Sequence, residues 1–238
     1  MPVELTYLAV GLIGGLISTL LGLGGGMVII LALSLLVGPR FALVVTAPAL
    51  LLGSLHRFSL FRRHLDRRVA RVFLLGAVPG TLLGSLLAVG MPEWVMRWLL
   101  VVATLAAVAR ALGRLDWTPG PRAIAPAGFV AGGVISTSGV GLLVAPILLA
   151  AGVRGDAFVA TTAAVGATMH VTRLGGYAAG GLLTGEAAWA SLFVAVAVLL
   201  GNLAGWRIRE ALSETTKDRS TYVMMVLLVV LAVVGATG

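Results

Sequence analysis

Three stretches of this chain, Val69 to Val89, Val95 to Ala109 and Ala187 to Ala204, consist almost entirely of apolar or small residues. A helix crossing the roughly 30 Å hydrocarbon core of a bilayer needs about 20 such residues. Several of them in one chain commit it to lipid, where every backbone polar group must be paired within the protein and helices do this locally. Composition agrees. Of 238 residues, 59% are hydrophobic and 11% charged, against roughly one-quarter charged in soluble domains, and mean hydropathy is +1.07. The fold class is an all-α integral membrane protein.

A formal charge of +8 and a pI near 11.4 raise nucleic-acid binding as a reading. That function needs a basic face on a soluble fold with exposed aromatics. Here the cations lie between the apolar runs, where they set orientation instead. There is no Cys, so disulfides, thiolate metal sites and cysteine relays are excluded. Leu5 to Leu21 lacks a basic start and an A-x-A site, so it is read as a membrane segment rather than a signal peptide.

The chain repeats itself. GGLIST at Gly14 to Thr19 returns as GGVIST at Gly132 to Thr137, and each copy leads into glycines. Gly38-Pro39-Arg40 parallels Gly152-Val153-Arg154, and His56 parallels His170. The expected organisation is a first repeat over 1–112, a cytoplasmic linker over 113–122 and a second repeat over 123–238. Each repeat has a glycine-broken pair of short helices and three transmembrane helices. The pairs are Leu5 to Leu21 with Met27 to Val37, and Ile124 to Thr137 with Leu142 to Ala151. The longer segments are Phe41 to Phe61, Val69 to Val89 and Trp94 to Leu112, then Ala157 to Gly180, Ala187 to Trp206 and Tyr222 to Ala236. A 12-residue segment reaches only about 18 Å, so the pairs read as re-entrant hairpins or broken helices.

Loops flanked by Arg57, Arg62, Arg63, Arg67, Arg68 and Arg71, by Arg110, Arg114 and Arg122, and by Arg207, Arg209, Lys217 and Arg219 are expected in the cytoplasm. The turns near Glu93 and Glu186 belong outside. Counting spans back from these anchors starts the first pair outside and the second inside, which makes the repeats inverted in topology.

Inverted repeats with interrupted helices mark the centre of a transporter, because broken helices expose backbone groups at the midplane. Helices restarting at Met27 and Leu142 would turn free N–H groups and positive dipole ends toward an anion. The candidate binding residues are Ser18, Thr19, Gly22, Gly24, Gly25 and Gly26 in the first break, and Ser136, Thr137, Ser138, Gly139 and Gly141 in the second. Against this stands simple close packing, for which membrane helices commonly use Gly14, Gly15, Gly132 and Gly133 types of position.

His170 and Arg173 fall inside a span, where ionisable residues are functional candidates by default. Arg173 either clamps an anion bidentately or snorkels to the nearby outer surface. His170 either donates to an anion or carries a proton, or is a neutral ring bonded to a carbonyl. Arg57 lies close enough to Arg62 and Arg63 to snorkel. Thr81 and Asn202 read as helix-packing contacts. No Asp or Glu falls within a long span, which leaves a carboxylate proton relay or sodium cage without residues. GLGGG is not G-x-G-x-x-G, no H-E-x-x-H or P-loop is present, and the three histidines lack ligand spacing, so no enzyme, metal or cofactor is expected.

The two glycine-rich repeat starts, FRRHLDRR at Phe61 to Arg68, GAVPGTLLG at Gly76 to Gly84, GYAAGGL at Gly176 to Leu182 and LGNLAG at Leu200 to Gly205 follow one another over nearly the whole chain. In that order they resemble the sulfite exporter TauE/SafE family, the 4-toluene sulfonate uptake permeases. The resemblance implies transport of sulfur-containing anions such as sulfite, sulfoacetate or related organosulfonates across the cytoplasmic membrane by a multi-pass carrier working by alternating access. A passive anion channel and an accessory membrane subunit remain the alternatives. Partners are the small anion and the lipid bilayer, with a homo-oligomer left open. One departure concerns the family's fuller glycine run followed by proline: here the first copy has Ile30-Leu31, and the second has Gly141-Leu142-Leu143 before Pro146.

Overall fold

The computed structural model describes residues 3–21, 25–115, 120–141 and 143–211, together with 230 and 234. The expected last span, Tyr222 to Ala236, lies largely outside them. Among the described residues every regular element is helical: α1 (Val3–Leu21), α2 (Gly25–Val37), α3 (Pro39–Phe61), α4 (Arg67–Gly90), α5 (Glu93–Ala111), α6 (Ile124–Ser138), α7 (Val144–Ala150), α8 (Gly155–Ala179) and α9 (Gly185–Ala211).

Local chemistry sets the boundaries. Pro39 opens α3, where its missing N–H costs nothing. The Asp66 carboxylate caps α4 by accepting from the Val69 N–H at 3.0 Å. Gly38 and Gly152, matched by the repeat, both sit at φ 84° after the second helix of their pair. That left-handed region favours glycine, so the turn is repeated along with the sequence.

Among the described residues, three helices are long and apolar enough to cross a membrane: Pro39–Ser59, Arg67–Gly90 and Gly185–Gly205. Trp94 to Leu112 and Ala157 to Gly180 were also expected as spans, and they form α5 and α8, of 19 and 25 residues. At about 37 Å, α8 is long enough to cross. Its apolarity is diluted by Asp156, His170, Arg173 and several Thr and Gly.

The short pairs depart from expectation in the length of α1 and in where their second helices start. With 19 residues, α1 reaches about 28 Å, nearly a full crossing. The second helices start at Gly25 and Val144 rather than at Met27 and Leu142. Being only seven residues long, α7 reaches about 10 Å, so the second pair is too short to cross twice.

The packing is built on glycine. Along α4, Gly76 and Gly80 bring the backbone against Ala125 and Phe129 of α6, and Gly128 and Gly132 return the approach toward Phe73, Ala77 and Thr81. Likewise Gly11 and Gly15 of α1 lie on Val194 and Val198 of α9, and Gly201 lies on Leu12 and Gly15. Contacting residue numbers rise together in both pairs, so α4 is parallel to α6 and α1 to α9. Lipid tails offer apolar side chains no advantage in pairing, so close backbone approach supplies the dispersion that holds such crossings. Gly15 and Gly132 therefore do serve close packing.

Between these pairs, α3 and α8 cross with Ser54 against Gly166 and Leu43 against Arg173. One set of numbers falls as the other rises, so the two helices are antiparallel. The helices α1, α3 and α4 match α6, α8 and α9 in the repeat. Exchanging the halves converts the α1–α9 pair into α6–α4, α3–α9 into α8–α4, and leaves α3–α8 unchanged; all of these pairs are in contact.

One end of the bundle gathers Gly38 beside the Glu93 carboxylate, Arg40 donating to the Met91 carbonyl at 2.5 Å, and Gly180 against Val89. The other gathers Arg62 to Arg71, the Asp66 N–H donating to Thr161 Oγ1 at 3.1 Å, and His64 at 3.9 Å from Asp156.

A Gly80→Val substitution should lower stability by about 3 kcal/mol, because its Cβ would stand 2.8 Å from the Phe129 Cα. Nothing lies within 4 Å of Gly53, so Gly53→Val should be nearly neutral. Thermal unfolding in detergent reads both; matching midpoints would rule out the tight α4–α6 crossing.

Candidate anion-binding site

The second helix break forms one wall. Ser138 ends α6, and Gly139 takes φ 72° while donating its N–H to the Ile135 carbonyl at 2.9 Å. A Cβ here would strike the side chains of Ile30 and Leu43. Glycine thus lets the break wedge between α2 and α3, which points the carbonyl end of α6 into the protein.

Into that point comes Arg173 of α8, 0% exposed. Its Nη1 donates to the Ile135 carbonyl at 3.3 Å, and its Nη2 to the Leu43 carbonyl at 2.5 Å and to Thr46 Oγ1 at 3.4 Å. The guanidinium carbon stands 5.5 Å from the ring centre of Tyr177, one turn further along α8, and the Tyr177 hydroxyl donates to the Ser136 carbonyl at 2.7 Å. Of the two roles the sequence left open, snorkelling is not the one observed: the side chain turns inward.

No carboxylate reaches ion-pair distance of Arg173 among the described residues. Carbonyl dipoles, the negative end of α6 and the π face of Tyr177 stabilise the cation, but none carries a full negative charge. Its Nε–H has no partner. His170, one turn earlier and 6% exposed, has an unpartnered Nδ1, and buried Ser136 has an unpartnered Oγ. Buried polar atoms left in this state are costly unless something pairs with them.

The other expected residues distribute unevenly. Thr137 and Ser138 spend their hydroxyl protons on their own helix, donating to the Gly133 and Val134 carbonyls at 2.9 and 2.7 Å, so of the three hydroxyls only Ser136 is uncommitted. Gly141 is exposed. Gly25 and Gly26 form the first turn of α2, with Gly26 close to Leu50. Gly22, Gly24 and the side chains of Ser18 and Thr19 lie outside the described residues. The short α7 offers barely two turns of dipole, so a strong N-terminal field from the second break is not what this structure builds. His56 and Arg57, the first-half counterparts of His170 and Arg173, are exposed near the end of α3.

Sequence reasoning missed Thr46, Tyr177 and the Leu43 carbonyl. Tyr177 carried a readable signal, an aromatic four residues after a buried cation on one helix face. Thr46 did not, since only the antiparallel α3–α8 crossing brings it near.

The outer surface completes the picture. Leu75, Leu83, Leu87, Trp94, Trp98, Trp189, Leu192 and Leu200 are exposed, Leu75 by 74%, while Thr46, Ser136 and Arg173 are buried. Apolar residues outside and polar residues at the centre define a multi-pass membrane protein. Among such proteins it belongs to the sulfite exporter TauE/SafE family, whose model matches residues 7–234. This is a family of membrane anion transporters, not of enzymes. No curated protein and no solved structure matches the chain.

Proposed function

We propose that the chain is a secondary transporter of small sulfur oxyanions, sulfite or a compact organosulfonate, in the cytoplasmic membrane, with Arg173 as the group that meets the anion. One observation carries the reading: a fully buried guanidinium with an unpartnered Nε–H and no carboxylate, beside unpartnered Ser136 and His170. An oxyanion accepts from several donors at once, and bidentate guanidinium bonds to such oxygens are among the strongest available.

The partners of Arg173 make the exchange inexpensive. The Ile135 carbonyl also accepts from the Gly139 N–H at 2.9 Å, and the Leu43 carbonyl lies inside α3, within the helical hydrogen-bond ladder. Neither is orphaned when the guanidinium moves to an anion. Since those carbonyls belong to α6 and α3, on different halves, the anion loosens a tie between the halves as it binds. That gives substrate a differential effect on two conformations, which alternating access requires.

Inverted topology is part of the proposal. Antiparallel α3 and α8, matched by the repeat, are the observation favouring it, as is the exchange of α1–α9 for α6–α4. No Asp or Glu is buried among the described residues, so coupling through a buried carboxylate is not proposed.

Liposome reconstitution tests the function. Saturable uptake of labelled sulfite with counterflow is expected. A non-saturating, voltage-driven flux would instead indicate a channel, and no flux for sulfite or any organosulfonate would indicate an accessory subunit.

A further inference from the structure

Five arginines gather at the basic end of α4, and their arrangement continues down the helix. Arg62, Arg63, Arg67, Arg68 and Arg71 are all exposed. Asp66, the acid among them, is committed to capping Val69, and Asp156 faces His64. The first turn of α4 holds two arginines and no acidic residue, with the Asp66 carboxylate at its N-cap. Arg68, Arg71, Leu75, Leu82 and Leu86 recur at helical spacing, so they share one face, and every one is exposed. Beside it α6, crossing with Phe129 against Gly80, presents exposed Phe129 and Val130, and the turn just before α6 carries exposed Arg122. Arginines on α4 and in the turn that leads into α6 thus stand at one end of a shared apolar strip.

We infer that the α4–α6 ridge binds an anionic diacyl phospholipid, its phosphate among Arg68, Arg71 and Arg122 and its acyl chains along Leu75, Leu82 and Leu86. Charge complementarity fixes the headgroup class, since arginine clusters where a helix leaves the bilayer attract anionic lipid. The apolar strip requires that the anion be attached to hydrocarbon. The inference is independent of what the protein carries.

Native mass spectrometry of the purified full chain tests it, with dioleoyl phosphatidylglycerol, dioleoyl phosphatidylcholine of identical chains, and inorganic phosphate as probes. Phosphatidylglycerol should be retained in preference to phosphatidylcholine, with binding weakened by 0.5 M salt. The Arg68→Gln/Arg71→Gln pair should weaken it roughly 30-fold, while the charge-matched Arg154→Gln/Arg207→Gln pair leaves it intact. Equal binding of the two lipids, equal loss in both double variants, or competition by millimolar inorganic phosphate would each overturn the assignment, the last by making it a free-anion site. Elution of each variant as a single species confirms that the ridge is folded.

Discussion

Tying α3 to α8 should abolish exchange across the membrane while leaving anion binding measurable. Ser54 and Gly166 face one another where the two antiparallel helices cross, and a Cβ at Gly166 would lie 3.9 Å from the Ser54 Cβ, within the 3.5–4.5 Å that a disulfide spans. The chain has no Cys, so the Ser54→Cys/Gly166→Cys pair adds the only thiols. If the halves rock against each other, oxidation should reduce counterflow to background, about 100-fold or more, and reduction should restore it. The organosulfonate giving the strongest counterflow is the right probe, because sulfite itself cleaves disulfides. A channel that conducts without relative motion of the halves would continue to pass anion after oxidation, and that outcome would sink alternating access.

That the crossing of α3 and α8 is where such a lock belongs was only partly legible in the sequence. Repetition of GGLIST as GGVIST paired the halves, and Gly38 and Gly152 turned out to share not only a position but a backbone angle of φ 84°. The apolar runs located α4 and α9 to within two residues at their N-terminal ends. What could not be read were features made by contact between distant segments. His170 resembles His56 and Arg173 resembles Arg57 in the linear pattern, yet one pair is buried and the other exposed. That asymmetry follows from the three-dimensional arrangement, where α6 ends beside Arg173. The hydroxyls at the second break illustrate the same limit. Ser136, Thr137 and Ser138 are equivalent donors on paper, but within a helix a hydroxyl can bond back to the carbonyl three or four residues earlier. Helical phase decides which is left over, and here it is Ser136. The glycines were ambiguous because membrane helices use them both for crossing and for breaking; Gly76, Gly80 and Gly132 cross, Gly139 breaks.

Removing the guanidinium tests the chemistry rather than the motion. Arg173→Ala should cut the affinity for transported anion by about 10- to 100-fold, the span expected for losing charge-assisted hydrogen bonds, with folded protein still recovered. Recovery is expected because the carbonyls that Arg173 serves keep other donors: the Gly139 N–H on Ile135, and the backbone ladder of α3 on Leu43. Arg173→Met, which refills most of the volume, separates packing from charge and should transport as poorly as the alanine variant. Arg173→Lys keeps the charge but not the planar fork, and a lysine cannot hold two oxygens of one anion in the same way, so intermediate affinity is expected. Wild-type transport by the alanine and methionine variants would mean that the guanidinium only staples α3 to α6 and that the anion passes elsewhere. Loss in the alanine variant with full recovery in the methionine variant would assign it to packing. Only graded loss, with methionine as poor as alanine and lysine between them and the wild type, ties transport to the positive charge at the place where α6 ends.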